Sequence, residues 1–342
     1  MTVDVEVLDP RFDPEPAYWR ALRQRAGLRA DWAWDVLVTQ AWCARTPQHV
    51  TVLHEDGEPR GVVASAWVGS RTRRHRFATS VRGGRLGGLD VRSPGSSAVP
   101  GWWFADAGED GGCRALLTRY VPAMRRELGL GLRALLVRQV PEEGLPSVEG
   151  RFRLVRETEV ISVIDVGGFR AREDWLATVG KKRRHAIRRL HTAVHEDRTL
   201  DVSLGPGRDA DPAATAELMR NNERKYHDVP IVPLPLFVGY LSRLLAQPDV
   251  AVLRYRDTSS GRLLAVALIL DHPRLPIVRA WSALPVESGG RPDLYFNFYD
   301  ETVRWAIGQG KQGVVLGKKL SELKKSLGAR HVRQYAAAIP LR

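Results

Sequence analysis

The sequence has 342 residues, enough for two domains of ordinary size, and its hydrophobic fraction of 44% and charged fraction of 27% are typical of a globular protein. The first residues lack the basic start and apolar run of a signal peptide, and no segment is long and apolar enough for a membrane span. Cys43 and Cys113 are too few for a disulfide framework, so we expect two buried thiols. Together with the missing signal peptide and membrane span, this predicts a cytoplasmic protein. We expect it to be monomeric or dimeric.

The N-terminal half is predicted to begin with helices and continue with strands. Apolar residues recur at helical spacing in three segments, 17–26, 32–44 and 113–128. Strands are predicted at 50–54, 61–68, 134–140 and 159–165. These elements are sufficient for one α/β domain.

The C-terminal half has a similar order of elements. Helices are predicted at 175–194, 212–225, 236–245 and 293–308, and strands at 251–255, 263–270, 277–282 and 313–316. Similar length and order predict a structural duplication, although no residue-level repeat is visible. We therefore expect an α/β (α+β) fold with domains at 1–166 and 167–342, each a central mixed sheet flanked by helices.

The positive charge is concentrated in the second half. The net charge is +13; residues 1–165 have 23 Lys and Arg against 21 Asp and Glu, whereas residues 166–342 have 29 against 18. All 8 lysines lie at or beyond Lys181. A basic surface attracts phosphate-bearing partners such as RNA, coenzyme A or nucleotide sugars, and the alternative is a merely solvated charged face.

Residues 180–195 form the most distinctive segment. On a helix, one stripe is apolar and consists of Ile187, Leu190 and Val194. A second stripe, here called the cationic stripe, consists of Lys181, Arg184, Arg188, His191 and His195. Such a face suits a phosphate backbone. Arg183 lies in the phase of the apolar stripe, where it either faces a cleft or extends to water.

Two later segments are also candidates for ligand binding. In residues 317–330, Leu320, Leu323 and Leu327 predict a short helical stripe with Lys324 at its edge and Lys325 further out. Residues 287–292 carry two glycines directly before a predicted helix, where free backbone N–H groups favour an anion. The alternative for this second segment is a simple turn with Asp293 as the N-cap.

No metal site is expected from the sequence. His191 and His195 are four residues apart, but no third histidine, cysteine or carboxylate is obviously supplied. The sequence also lacks the Gly-x-Ser-x-Gly nucleophile motif and the Gly-x-x-x-x-Gly-Lys-Ser/Thr phosphate loop.

Four short segments of the chain form a recognisable set: LysLysArgArgHisAlaIleArgArg at 181–189, LeuTyrPheAsnPheTyr at 294–299, ValValLeuGly at 314–317 and LeuLysLysSerLeuGlyAla at 323–329. Together they resemble the FemABX-like and BioF2-like branch of the GNAT acyltransferase superfamily. The resemblance covers mainly 170–335 and implies two tandem GNAT-like domains. Some members of this branch transfer an amino acid from aminoacyl-tRNA to an amine, in peptidoglycan precursors or small natural products, and others use acyl-CoA.

The resemblance also implies roles for individual residues. The family places a lysine four residues before a glycine, where it is thought to stabilise the oxyanion; the match here is Lys324 with Gly328. An aromatic residue often precedes that lysine, whereas this chain has Leu323. The residues expected to bind donor phosphates are Lys181, Arg184, Arg188, Gly289, Gly290, Arg291, Lys318, Lys319 and Lys325. The residues expected to line an acceptor cleft between the domains are Arg183, Tyr226, Trp281 and Tyr295.

Three functions follow from these features. The first is an aminoacyl-tRNA-dependent aminoacyltransferase that needs no bound cofactor, since aminoacyl-tRNA is a co-substrate. The second is an acyl-CoA-dependent N-acyltransferase, although residues 287–292 do not reproduce the coenzyme A pyrophosphate loop of ordinary GNAT enzymes. The third is a non-catalytic RNA- or anion-binding protein on a transferase fold.

Overall fold

The structure, a computed structural model, describes residues 3–44, 46–69, 86–95, 97–225 and 234–341. The chain forms two compact units: unit 1 is Met1–Val160 with Arg333–Arg342, and unit 2 is Ile161–Val332. This division differs from the one predicted at 166/167. The difference arises because Ile161–Asp165 is a strand of the second sheet, whereas the C-terminal residues return to the first sheet.

Unit 1 combines short helices with a mixed sheet. Its helices are α1 (Trp19–Arg25), α2 (Trp34–Cys43), α3 (Cys113–Ala115), α4 (Val121–Leu128) and α5 (Leu145–Val148), with a π-helical turn at Leu116–Tyr120 between α3 and α4. Its strands are β1 (Val3–Leu8), β2 (Gln48–Glu55), β3 (Glu58–Gly69), β4 (Gly87–Val91), β5 (Trp102–Phe104), β6 (Leu132–Pro141), β7 (Leu154–Glu157) and the last strand of the chain, β15 (Gln334–Pro340).

The sheet of unit 1 has the order β1-β2-β3-β4-β6-β15-β7, and β5 pairs with β3. Among the described strands, β4 and β6 are the parallel pair, and the others pair antiparallel. A parallel pair requires a crossover, which is supplied here by α3 and α4. The core lies beneath this crossover and includes Trp67, Tyr120 and Met124. Cys43 and Cys113 are buried, as expected.

Unit 2 repeats this plan with longer helices. They are α6 (Arg172–Thr178), α7 (Lys181–Glu196), α8 (Pro212–Lys225), α9 (Leu234–Leu245), α10 (Leu294–Gly308) and α11 (Ser321–Lys325). Its strands are β8 (Ile161–Asp165), β9 (Leu200–Pro206), β10 (Val250–Asp257), β11 (Leu263–Leu270), β12 (Ile277–Ala283), β13 (Gly313–Val315) and β14 (Arg330–Val332).

The sheet of unit 2 has the order β14-β8-β13-β12-β11-β10-β9. Here β12 and β13 are parallel and are joined by α10, and the other described pairs are antiparallel. Almost every residue of β11 is buried, so helices cover both faces of the sheet. The expected fold class, two mixed sheets flanked by helices, is therefore confirmed. In the part of the chain that the structure describes, no helix has the length and apolar character needed to cross a bilayer.

Two predicted helices differ from the structure. The helix expected at 175–194 is divided into α6 and α7, because Val179 is extended (φ −90°, ψ 140°) and buried, and Gly180 precedes the new helix. The stripe expected at 317–330 is also wrong at its start. Leu320 has φ 53° and is 54% exposed, so it precedes α11 and does not pack beside Leu327, which is buried.

Candidate active site

The parallel strands β12 and β13 separate soon after they meet. Their register contains the pair Ile277 and Val315, and the backbone N–H of Val315 donates to the carbonyl of Pro276 at 2.9 Å. Beyond Val315 the chain bonds instead to β8, through Leu316 and Ser162 at 2.8 Å. Within the described residues, β12 therefore has no strand partner on this side after Ile277. A divergent parallel pair opens a crevice at the carboxyl ends of its strands.

Strand β12 also carries a bulge beside this opening. On its other side, Leu268 pairs with Ala280 and Ile269 pairs with Val278, so Arg279 has no counterpart in β11. A bulge re-aims backbone groups and is often found next to a binding site. The open edge of β12 thus offers backbone donors and acceptors to an extended ligand.

The turn between β12 and α10 begins where β12 ends and contains three of the predicted donor-binding residues. A Cβ on Gly290 would lie 2.0 Å from the carbonyl oxygen of Leu284, so only glycine fits there. Gly289 has φ 87°, which also favours glycine. The Arg291 guanidinium donates to Thr199 Oγ1 at 2.8 Å. Asp293 precedes α10, but its side chain makes no capping hydrogen bond.

Lys324 is on α11 and only 4% exposed. Its side chain extends to the segment that follows β13. Its ammonium group donates to the carbonyl oxygens of Leu316 at 2.8 Å, of Gly317 at 3.2 Å and of Lys318. These three bonds match the three N–H donors of an ammonium group. A reacting oxygen would therefore have to replace one of them or benefit from the charge without a direct hydrogen bond.

The neighbouring lysines are in more open positions. Lys325 and Lys319 are exposed and Lys318 is half-buried. Because Lys318 and Lys319 follow β13 and the β12–α10 turn follows β12, the carboxyl ends of two adjacent parallel strands carry both groups to the same edge of the sheet. Five of the nine predicted donor-binding residues thus follow the carboxyl end of β12 or β13, and a sixth, Lys325, is on α11.

The other three, on α7, are engaged to different degrees. Lys181 is exposed at the start of the helix. Arg184 donates to the carbonyl of Val179 at 3.1 Å and to that of Ala177 at 3.3 Å. Ala177 is in the last turn of α6, and Val179 is the first residue after it. Arg188 pairs with Glu173, and this hydrogen bond holds the pKa of the Glu173 carboxyl below its usual value. Much of the cationic stripe therefore contacts its own chain, whereas Lys182 and Arg189 on the same helix are exposed.

Three of the four predicted cleft residues are linked through Phe296. The Arg183 guanidinium lies 5.1 Å from the centre of the Phe296 ring, and Phe296 is 6.2 Å from Tyr295. Tyr295 is in turn 5.8 Å from Trp281 on β12. Arg183 thus neither projects alone into a cleft nor extends freely to water, because an aromatic face covers it. Tyr226 lies outside the described residues.

Helix α10 also buries polar residues that the sequence analysis missed. Asn297 accepts a hydrogen bond from Tyr255 at 2.7 Å, and Asp300 accepts two from Arg172 at 2.5 and 2.9 Å. His191, His195 and Glu301 bring possible metal-ligand atoms within 4.8 Å of one another. A polar stripe on this helix could have been predicted from the spacing of three and four residues that separates Asn297 from Asp300 and Glu301.

No protein-family model matches the sequence, and comparison with curated proteins finds no significant match. Solved structures do match. FemX superimposes with a TM-score of 0.58 and 10% identity over 87% of this chain and 90% of its own. L-PGS from Bacillus licheniformis superimposes with a TM-score of 0.59 and 10% identity over 96% of this chain and 93% of its own.

A conserved protein of unknown function from Bacteroides thetaiotaomicron gives a TM-score of 0.55 and 14% identity over 93% of this chain and 92% of its own. Because these identities are low, the likeness concerns the fold. It extends over nearly the whole chain and thus over both units. The chain therefore shares the fold of FemX and L-PGS, and the assignment of its two units to the GNAT superfamily stays a prediction from the sequence.

Proposed function

We propose that this protein is an acyltransferase that moves an aminoacyl group from aminoacyl-tRNA to an amine acceptor. The observation that carries the proposal is the divergence of β12 and β13, which leaves the edge of β12 open beside a bulge at Arg279. An aminoacyl ester can bond to such an edge, because its α-ammonium group donates to an open carbonyl and its ester carbonyl oxygen accepts from an open N–H.

The charges around this opening suit a phosphate-bearing donor. The β12–α10 turn contributes Gly289, Gly290 and Arg291, and the segment after β13 contributes Lys318 and Lys319. Close backbone approach at the glycines and a nearby helix start favour an anion. The exposed Lys181, Lys182 and Arg189 on α7 would add contacts to a longer phosphate backbone.

The proposed reaction needs little covalent chemistry from the protein. The amine nitrogen attacks the ester carbonyl carbon, a C–N bond forms, the ester C–O bond breaks, the amine loses a proton and the ribose hydroxyl leaves. The main requirements are positioning and stabilisation of the negative charge on the carbonyl oxygen. Lys324 supplies a buried positive charge at the carboxyl end of β13 and is our candidate for this stabilisation.

The aromatic residues of the opening are candidates for the acceptor side. Trp281 and Tyr295 are half-buried, and their ring centres are 5.8 Å apart. Partly exposed aromatic rings bind the apolar part of a small molecule and exclude water from the reacting groups. This arrangement suits a small amine, either a natural-product precursor or part of a peptidoglycan precursor.

Acyl-CoA is the second candidate donor, because the amides of its pantetheine arm would pair with the open edge of β12, although residues 287–292 do not reproduce the usual coenzyme A pyrophosphate loop. One experiment separates the donors. Purified protein would be incubated with a panel of amines and either labelled aminoacyl-tRNA or labelled acyl-CoA. We expect amine-dependent discharge of the aminoacyl-tRNA, reduced in Lys324→Met and retained in Lys325→Met. Transfer from acyl-CoA alone would favour the second donor, and tight RNA binding without transfer would indicate a binding protein.

A further inference from the structure

We propose that His191, His195 and Glu301 form a binding site for a divalent transition metal ion of the Zn²⁺ class. His191 and His195 are four residues apart on α7, so their rings lie on one face of the helix, with centres 4.3 Å apart. Glu301 projects from α10, which packs against α7. The proposal does not depend on the acyltransferase function.

The distances are close to those that a metal ion requires. Glu301 Oε1 lies 2.8 Å from His195 Nε2 and 3.7 Å from His191 Nδ1, and the three ligand atoms are all within 4.8 Å. Tetrahedral Zn²⁺ with ligands at about 2.0–2.2 Å separates neighbouring ligand atoms by roughly 3.4 Å. Small side-chain rotations are enough to reach this geometry. Two histidines and a glutamate are also a ligand set that zinc enzymes use, with a fourth position for water.

The Nδ1 atom of His191 lies close to two carboxylates. It lies 2.9 Å from Asp300 Oδ2, but in an orientation that forms no hydrogen bond, so a metal contact there would sacrifice none.

Two arginines lie beside the proposed ligands, and only one of them is paired with a ligand carboxylate. Arg172 is bound to Asp300 through two hydrogen bonds and is largely buried, so we expect it to stay and hold that carboxylate beside His191. Arg304 is 41% exposed and lies 3.3 Å from Glu301 and 3.5 Å from His195 Nε2. A metal ion would displace Arg304, which can turn toward water. Removal of the Arg304 charge is therefore expected to strengthen metal binding.

The test uses the full chain, free of any affinity tag and treated with a chelator, and titrates it with Zn²⁺ by calorimetry. We expect one ion per chain, with an affinity at least about tenfold weaker in His195→Ala and in Glu301→Gln. His185→Ala removes an exposed histidine of the same helix outside the cluster and should bind as the wild type does. Arg304→Gln should bind about two- to fivefold more tightly because the competing cation is gone.

Co²⁺ provides a second readout, since four-coordinate Co²⁺ absorbs strongly in the visible range. Circular dichroism of each variant would verify that its fold is intact, and His195 is exposed enough for replacement without a packing defect. The proposal would be overturned if the wild type bound no Zn²⁺, or if His195→Ala and Glu301→Gln bound it as tightly as His185→Ala. It would also be overturned if Arg304→Gln weakened the binding.

Discussion

The Lys324 ammonium group donates a 2.8 Å hydrogen bond to the carbonyl oxygen of Leu316, the first residue after β13. With its bonds to Gly317 and Lys318, it fixes the segment that leaves the sheet where β12 and β13 diverge. The same side chain is thus tied to the backbone and carries the buried charge that we assign to catalysis. These two roles predict different measurements.

Lys324→Met keeps the apolar stem of the side chain but removes the ammonium donor from the buried carbonyl of Leu316, whereas the carbonyl of Gly317 keeps the N–H of Ser162 as a donor. We expect the free energy of unfolding to fall by about 1–3 kcal/mol. If the charge also stabilises the oxyanion, kcat per folded molecule should fall by roughly 10²–10³. Urea unfolding and kinetics at a temperature where the variant is fully folded measure the two effects separately.

Lys325→Met is the matched control, because Lys325 is the next residue on α11 and is exposed. It should leave stability and kcat close to the wild-type values, and any loss of the phosphate contact expected for Lys325 should appear as weaker donor binding. A Lys324→Met protein that is less stable but turns over normally would assign the residue to the backbone role alone. Equal losses of kcat in both variants would instead indicate a general electrostatic effect.

Gly290→Ala tests the β12–α10 turn. The new methyl group would meet the carbonyl oxygen of Leu284 at 2.0 Å, so the backbone of the turn would have to move. We expect weaker donor binding and lower thermal stability. Gly308→Ala is the control: it lies at the end of α10 with no neighbour within 4 Å, and alanine there should be neutral or stabilising by up to about 1 kcal/mol. Unchanged donor affinity in Gly290→Ala would remove the turn from the donor site.

Regular elements with a strong local pattern were predictable from the sequence. The strand at 263–270 and the helix at 212–225 match β11 and α8, because a continuous apolar run and a clear helical period do not depend on distant partners. The helix break at Val179 was missed, since a buried extended valine has no local signature. Leu320 was placed in a helix by spacing alone, although its positive φ puts it before α11.

The site was predictable in composition but not in contacts. His191 and His195 were visible in the sequence as a pair, yet their third neighbour, Glu301, is more than a hundred residues away on another helix. The residues of the cationic stripe could be grouped by helical spacing, but the sequence did not show that Arg184, Arg188, His191 and His195 pair with their own chain. Arg188 pairs with Glu173, which is on α6. The sequence did not show that α6 and α7 are separate helices. Such pairings depend on how helices pack, which one sequence does not specify.

The exposed basic residues of α7 should bind RNA more than the partnered ones do. We expect the double variant Lys181→Glu/Arg189→Glu to bind tRNA more weakly, because both side chains are exposed, and to show a shallower dependence of affinity on salt. Arg126→Glu/Arg133→Glu, which reverses two exposed charges in unit 1 and changes the net charge equally, serves as the control. Filter binding at several salt concentrations measures both properties. Affinities that fall equally in the two proteins would indicate only a loss of net charge.

Arg184 and Arg188 should behave differently, since each is bound to its own chain. Arg184→Ala removes the donor to the carbonyls at the end of α6, so its main effect should be a lower free energy of unfolding, by about 0.5–1.5 kcal/mol. Thermal unfolding and tRNA binding would be measured on the same sample. A large loss of tRNA affinity at unchanged stability would return Arg184 to the donor-binding surface.

His191 should make the stability of the protein depend on pH. Burial lowers its pKa in the folded state, whereas in the unfolded chain it titrates near 6.5. As the pH falls below about 6.5, the unfolded state takes up a proton that the folded state resists, so the free energy of unfolding decreases. The stabilisation is therefore complete above about pH 6.5 and is lost as the pH falls through the lowered pKa of the folded state.

His191→Gln removes this titration and keeps a polar side chain beside Asp300. We expect its free energy of unfolding to decrease less than that of the wild type between pH 7.5 and pH 5. Urea titrations at each pH, with a chelator present so that metal binding does not contribute, give the comparison. The neighbouring carboxylates, His195 and Arg172 remain in both proteins, so the difference reports His191 together with its electrostatic coupling to them. A variant whose stability falls with pH as steeply as that of the wild type would show that His191 does not resist protonation in the fold.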